Sequence, residues 1–344
     1  MREGVGSRVT MEVVAKRAGV SLKSVSRVVN GEAGVSEELR AKVTEAVNAL
    51  GYVPDVAARS LAGVRSFTIA ILFDNPSSNY NMKIQSGAYE ACSDAGYHLR
   101  LYEMHSDCSD EGLIRQLSGI LQKGRCDGFV LSPPLCDDSR LLDFLEREQK
   151  AYVRIAPVLE PGRTSAVETD DFEAAGEVAR LFHRLGHKRI ALVNGPVAHG
   201  QAVYRRDGFL KAIQSLAPNA TVREDWGDFT FYSGMMAGKR LLKGCEPPQA
   251  VFAANDDMAA GVMNAAQQMG YRVPEDLSVC GFDDGIIAMT IWPHLTTIHQ
   301  PIAEMASKAV RMLIEGLPKE PVTRLVNTYL VERDSVASAA PLPA

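Results

Sequence analysis

Long apolar runs are missing from this 344-residue chain. None approaches the ~18 consecutive residues that read as a spanning helix. The opening segment, MREGVGSRVT, is polar and charged, and no apolar stretch follows it, so a secretory signal is not expected. Cysteine is sparse: Cys92, Cys108, Cys126, Cys136, Cys245 and Cys280 stand far apart without a C-x-x-C pair. That spacing argues against a zinc ribbon or a disulfide scaffold and for reduced thiols. G-x-S-x-G, Walker A and G-x-G-x-x-G patterns are all absent. The expectation is a soluble cytoplasmic protein, not an enzyme, with no catalytic residue, metal or cofactor and no membrane partner.

Acidic residues outnumber basic ones, 42 to 37, which is a poor overall balance for a partner of nucleic acid. The excess is uneven. Residues 1–63 carry nine Lys/Arg against seven Asp/Glu, and the remainder carries 28 against 35. An anionic partner responds to the local field rather than to the total. The length also exceeds the ~250–300 residues at which single cores stop growing, so two or three units are expected.

The first unit reads as three short helices. Thr10 can start one that carries Met11, Val14, Ala15 and Ala18 on one face, with Gly19 as its stop. Ser21 can cap a second, Leu22 to Asn30, with Val25 and Val29 turned toward its partners. A third begins at Ser36, repeats Leu39, Val43, Ala46, Val47 and Leu50 in one stripe, and ends at Gly51. Two helices joined by a short turn with Gly form the helix-turn-helix pattern. Leu22, Lys23, Ser26 and Arg27 are left on the outer face of the second helix, where side chains reach base edges in the major groove.

The wording VTMEVVAKRAGVSLKSVSRVVN, followed by VSEELRAKVTEAVNALGYVPDVAARSLAG, resembles the head and hinge of the LacI/GalR family of bacterial transcription regulators. The resemblance implies DNA contacts by Thr10, Ser21, Leu22, Lys23, Ser26, Arg27 and Asn30. It also implies that residues 55–65 form a hinge that folds on operator DNA. Leu61 would then wedge the central base step apart and Arg59 would reach a phosphate. Such a wedge costs a few kcal/mol of unstacking, repaid by bent DNA that meets more protein. Asp55 departs from relatives that often have Asn there.

From residue 66 the texture becomes β/α alternation. Apolar runs at 67–73, 97–102, 128–131, 151–155, 189–193, 250–253 and 277–281 alternate with helical stretches such as 82–95 and 174–185. Strands buried on both faces imply parallel sheets. The family resemblance extends over this region more loosely, through Gly186-His187-Lys188-Arg189-Ile190, Arg205-x-x-Gly208-Phe209, Ala254-Asn255-Asp256, Gly281-Phe282-Asp283-Asp284 and Leu295-Thr296-Thr297-Ile298-x-Gln300-Pro301. It implies an all-α helix-turn-helix head (1–54), a hinge (55–65) and an α/β periplasmic-binding-protein-like body (66–335) of two doubly wound parallel-sheet subdomains. The expected exchange points put 66–157 and 297–320 in the N-subdomain and 158–296 and 321–335 in the C-subdomain, followed by a tail (336–344). No leucine heptad marks that tail, so a homodimer is expected.

Ligands of parallel sheets bind beyond the carboxyl ends of strands. Asp74, Arg205, Asn255 and Asp283 lie at or just after such ends. Charged and amide groups there suit a polyhydroxylated ligand. The resemblance adds Gln300 and Phe229 to the effector set, with Phe229 as a stacking ring, and Asn75 comes in with Asp74. Each has a plainer reading: Asn255 as a helix cap, Asp283-Asp284 as a turn, Phe229 as core, Gln300 as a fixed point in the crossover. His183 and His187, four apart, straddle Gly186 and are read as structural. The implied function is a repressor of carbohydrate-utilisation genes that leaves operator DNA when a sugar binds. A regulator needing a nucleobase or other corepressor is the alternative, and a sugar-binding transport protein is a third reading disfavoured by the opening segment.

Overall fold

Helical periodicity and caps build the head. Helices α1 (Met11–Ala18), α2 (Leu22–Val29) and α3 (Glu37–Leu50) enclose Val14, Val25, Val28, Val43, Ala46 and Tyr52. Gly19 closes α1 in the left-handed region at φ 66°. Ser21 Oγ accepts from Ser24 N at 3.1 Å to start α2, and Ser36 Oγ accepts from Leu39 N at 3.4 Å to start α3. Each such cap is worth ~1 kcal/mol. Val29, expected inward, is half-buried at the rim, and Val28 takes the core position. The computed structural model describes residues 9–29, 34–52 and 65–339. They fall into two compact units divided between Phe67 and Thr68.

The second unit holds two six-stranded sheets. The strands are β1 (Thr68–Phe73), β2 (His98–Glu103), β3 (Gly128–Leu131), β4 (Tyr152–Ile155), β5 (Ala166–Glu168), β6 (Arg189–Asn194), β7 (Thr221–Trp226), β8 (Ala250–Ala253), β9 (Ser278–Asp283), β10 (Thr296–His299), β11 (Thr323–Leu325) and β12 (Tyr329–Val331). One sheet runs β11-β5-β4-β3-β1-β2 and the other β12-β10-β9-β8-β6-β7. All pairings are parallel except β10 with β12. Central strands such as β8, β9 and β3 are buried along their whole length, because helices cover both faces.

Helices α4 (Ser78–Asp94), α5 (Asp110–Gln122), α6 (Ser139–Arg147), α7 (Asp171–Arg184), α8 (Gly200–Leu216), α9 (Phe231–Leu241), α10 (Asp256–Gln268), α11 (Ile286–Thr290) and α12 (Ile302–Glu315) complete the layers. Two glycines set helix spacing. A Cβ at Gly87 would overlap the Ala303 carbonyl, and one at Gly208 the Phe172 carbonyl, so α4 meets α12 and α8 meets α7 at backbone range.

The exchange points between lobes differ from those expected. Strand β5 belongs to the first sheet although 158 onward was assigned to the C-subdomain. Strand β10 belongs to the second sheet although 297 onward was assigned to the N-subdomain, and β11 returns to the first. The chain therefore crosses just after Glu168, His299 and Leu325. Strands of three or four residues, such as β5, β10 and β11, are too short to show period-2 alternation, so the crossings fall later than the sequence suggests.

Candidate functional site

On the head, the start of α2 presents Ser21, Leu22 and Lys23 to solvent, with Leu22 47% exposed despite its apolar side chain. Ser26 and Arg27 lie one turn further along, half-buried. Arg27 Nη2 lies 3.5 Å from the Gly34 carbonyl. Thr10 is exposed and starts α1 through its carbonyl, which accepts from Val13 N and Val14 N, while its side chain makes no cap bond. The N-terminus of a helix favours anions through its unpaired N–H groups and dipole. Asn30, Arg59 and Leu61 lie outside the described residues.

In the body, the carboxyl ends of strands from both sheets converge on a narrow cavity of about 30 Å³. The first lobe contributes Asn75, Ser77, Tyr80, Pro133 and Ala156. The second contributes His199, Gln201, Arg205, Phe229, Asn255 and Asp283, and Gln300 stands at a crossing. Six of the seven expected effector residues are thus brought together. Asp74 is not among them: its Oδ2 accepts from Ser106 N at 2.8 Å and Ser106 Oγ at 2.5 Å, which anchors a neighbouring loop.

Arg205 is the centre of the polar network. Nε donates to Asp171 Oδ2 at 2.8 Å, Nη1 to the Ala254 carbonyl at 2.6 Å, and Nη2 to Gln300 Oε1 at 3.3 Å. Nη1 also lies 3.4 Å from Asp283 Oδ1, and the guanidinium carbon sits 3.7 Å over the Phe282 ring. Gln300 Nε2 in turn reaches Thr169 Oγ1 at 3.2 Å and Asp171 Oδ1 at 3.3 Å. Two of the three crossings are therefore tied to one another and to Arg205. Val326 N, in the third, donates to the Glu168 carbonyl at 2.9 Å.

Two of the plainer readings are visible in the geometry. Asn255 caps α10, with Oδ1 accepting from Met258 N at 2.9 Å, and its Nδ2 donates to the Phe229 carbonyl at 3.0 Å. Phe229 is buried, adopts φ 68°, and packs edge-on to His199 at 5.1 Å between ring centres. Gly195 makes room for it, since a Cβ there would strike the Phe229 ring. Sequence reasoning did not single out Ser77, Tyr80, His199 and Gln201. All sit in loops or first helical turns after strand ends, so the strand-end rule applied to every strand would have found them.

Burial dominates the electrostatics. It pushes Asp283 up to about 7, with Arg205 and Lys83 pulling the other way. It also holds Asp256 well above the ordinary carboxylate range, helped by the neighbouring Asp283 charge, although Thr297 Oγ1 and Gly285 N donate to that carboxylate at 2.5 and 2.6 Å. Burial lowers His199 to about 4, so its ring is neutral. Buried and without hydrogen-bond partners are Asp283 Oδ1, Gln201 Oε1 and the Tyr80 hydroxyl.

Across the cleft, Asp257 accepts from Ser77 Oγ at 3.0 Å and Asn79 Nδ2 at 2.9 Å. Lys83 Nζ donates to the carbonyls of Asp283 and Asp284 at 2.8 and 2.7 Å, and Gln201 Nε2 to that of Ala156 at 2.8 Å. Among the described residues, no group of three His, Cys, Asp or Glu side chains is arranged to hold a metal ion, and no helix is long and apolar enough to cross a membrane.

Residues 10–55 match the model of bacterial regulatory proteins, lacI family, and residues 179–336 that of a periplasmic binding protein-like domain. The HTH-type transcriptional repressor PurR of Edwardsiella ictaluri is 34% identical over 338 residues, covering 95% of this chain and 97% of that one. Among solved structures, a transcriptional regulator CelR–cellobiose complex is 30% identical with a TM-score of 0.70, covering 95% of this chain and all of that one. A lac repressor dimer bound to operator and the anti-inducer ONPF is 26% identical with a TM-score of 0.75, covering 96% of this chain and all of that one. A helix-turn-helix head, a two-lobed parallel-sheet body and a relative matched almost end to end lead to one assignment: this chain belongs to the LacI family of bacterial transcriptional regulators.

Proposed function

We propose that the chain is a cytoplasmic, dimeric repressor that leaves its operator when a polyhydroxylated small molecule fills the cleft. The observation that carries the ligand class is the set of unpartnered buried atoms in the cavity. Gln201 Oε1 is an acceptor, the Tyr80 hydroxyl acts either way, and Asp283 Oδ1, 3.4 Å from Arg205 Nη1, accepts no hydrogen bond. Leaving such groups unpaired costs ~1–3 kcal/mol each, so a ligand rich in hydroxyl donors gains most, with Phe229 covering its C–H face. Cellobiose in the CelR structure supports the same chemistry.

Thr10, Ser21, Leu22, Lys23, Ser26, Arg27 and Asn30 are assigned to the operator, with Arg59 and Leu61 in the hinge. Asn75, Arg205, Phe229, Asn255, Asp283 and Gln300 are assigned to the effector. A groove of 560 Å³ lined by Phe231, Met263, Tyr271, Ile291 and Trp292, the last 79% exposed, lies beside exposed Ile286 and Met289. An apolar patch of this kind supports pairing with a second copy.

The relative named PurR supports a second reading, in which a nucleobase acts as corepressor and stacks on Phe229. The two differ in sign. Operator DNA is titrated at fixed salt, since phosphate contacts make affinity steeply salt-dependent, with cellobiose, D-glucose, D-ribose or hypoxanthine added. Release by a sugar establishes the first reading. Tightening by hypoxanthine, with the sugars inert, replaces it with the second.

A further inference from the structure

We infer that the effector is an unphosphorylated molecule without a carboxylate, and that the cavity rejects anionic relatives of the same compound. This rests on the cleft being the effector site and adds the charge class of its ligand. Arg205 is the only Lys or Arg among the lining residues, and its charge is already matched. Asp171 takes Nε at 2.8 Å, and Asp283 lies 3.4 Å from Nη1. Asp171 is more buried than the guanidinium and Asp283 is nearly as buried, so two acids answer one cation in a largely water-free setting. The Phe282 ring closes one face of the guanidinium, and the carbonyl of Ala254 and the amide of Gln300 occupy its remaining edge. A phosphate seeking Arg205 would have to displace these groups and approach Asp283 at close range.

The other cation nearby is also committed. Lys83 Nζ sits on the carbonyls of Asp283 and Asp284 at 2.8 and 2.7 Å, outside the lining. His199, buried and neutral, adds no charge.

Helix starts often hold phosphates, and those of α4, α8 and α10 carry lining residues of this cleft at their caps. That of α10 is filled by the Asn255 cap and followed by the Asp256 and Asp257 carboxylates. That of α4 is capped by Ser77, whose hydroxyl donates to Asp257. At the start of α8, Gly200 packs against Val158 so closely that a Cβ there would meet its side chain at 2.8 Å. What the cavity leaves without hydrogen bonds are Gln201 Oε1, the Tyr80 hydroxyl and Asp283 Oδ1, the last 3.4 Å from Arg205 Nη1, so the two oxygens that only accept hold an anion off and the one possible donor is neutral.

The regulator accordingly reads its compound upstream of any phosphoryl-transfer step. The reactions that supply the effector are uptake or glycoside hydrolysis, and a kinase acting on it would remove the signal.

Full-length protein is tested by thermal shift and calorimetry at constant ionic strength with matched pairs: D-glucose and glucose 6-phosphate, D-ribose and ribose 5-phosphate, inosine and inosine monophosphate, with hypoxanthine and inorganic phosphate alone as further probes. The neutral member should bind at least ~100-fold tighter than its phosphate, as expected for a like charge near a buried carboxylate. Millimolar inorganic phosphate should leave the midpoint unchanged. Asp283→Asn should shrink that gap to a few-fold.

Tighter binding of a phosphorylated member overturns the inference. Stabilisation by inorganic phosphate that disappears in Arg205→Ala overturns it too, even if every organic probe is inert. Binding of hypoxanthine alone sinks the sugar reading and leaves the charge class standing. A gap unmoved in Asp283→Asn removes the carboxylate from the explanation.

Discussion

Asp171 and Arg205 face each other at 2.8 Å with 1% and 5% of their surfaces exposed, and Asp171 opens the helix that follows the first crossing between lobes. Arg205, which lines the cavity, is thus fastened to the segment that joins the lobes. Removing one partner of a buried pair leaves a stranded charge. Asp171→Ala should therefore cost about 3–5 kcal/mol of body stability. Asp171→Asn, which keeps an acceptor, should cost less. Chemical denaturation followed by body fluorescence measures both, and equal midpoints for wild type and Asp171→Ala would show that the pair contributes nothing net.

Asp257 joins the lobes by two side-chain hydrogen bonds, from Ser77 and Asn79, at the rim of the cavity. Asp257→Ala removes both while leaving each lobe's core untouched. Hydrogen bonds to a charged group contribute about 1.5–3 kcal/mol, so closure should weaken and effector affinity should fall ~10-fold or more. Operator affinity without effector serves as the control for folding. An affinity equal to wild type means the rim bonds do not bias closure.

Asp283 carries a pH dependence with a definite sign. Burial raises it from 3.8 to about 7, against the pull of Arg205 and Lys83 and with the push of Asp171 and Asp257. The native state then holds the proton more tightly than the unfolded chain. Its contribution to stability is fully present below about pH 4 and is lost as pH rises through about 7. Binding runs the other way: a ligand hydroxyl donates to the carboxylate, so effector affinity should rise between pH 6 and pH 8, around the titration at about 7. Calorimetry across that interval, repeated on Asp283→Asn, should show the slope in wild type and none in the variant.

Leu61 lies outside the described residues, and the prediction for it comes from the family's hinge. Leu61→Ala should weaken specific operator binding by roughly 2–4 kcal/mol and spare non-specific binding. Equal losses on operator and random DNA would assign Leu61 to something other than the wedge.

Where periodicity is strong, the sequence was a sufficient guide. The stripe Leu39, Val43, Ala46, Val47, Leu50 packs as one face of α3, and Gly51 ends it at φ 60°. The apolar runs read as strands became β1, β2, β3, β4, β6, β8 and β9, and all of these but β2 lie inside their sheets. What escaped notice was polar, short or settled from far away. Strand β7, TVREDW, is an edge strand whose side chains largely face water, so it carries no apolar signature. Asp74 was assigned to the ligand because it follows a strand, yet Ser106 claims its carboxylate from 32 positions along the chain. Asp171 looks like an ordinary acidic residue in a first helical turn. Only the folded arrangement brings Arg205, 34 positions later, to its Oδ2.

The three crossings also bear on how such a protein can be remade. Each lobe is threaded from two separated stretches, with β11 joining a sheet otherwise built from residues before 169 and β12 joining one otherwise built from residues before 300. A single cut and splice cannot exchange one lobe for a relative's without breaking a sheet. The head is one uninterrupted stretch before Thr68. Recombination at that boundary can therefore join a new head to a whole body in one event, whereas one lobe cannot be replaced alone and the cleft has to change with both of its walls together.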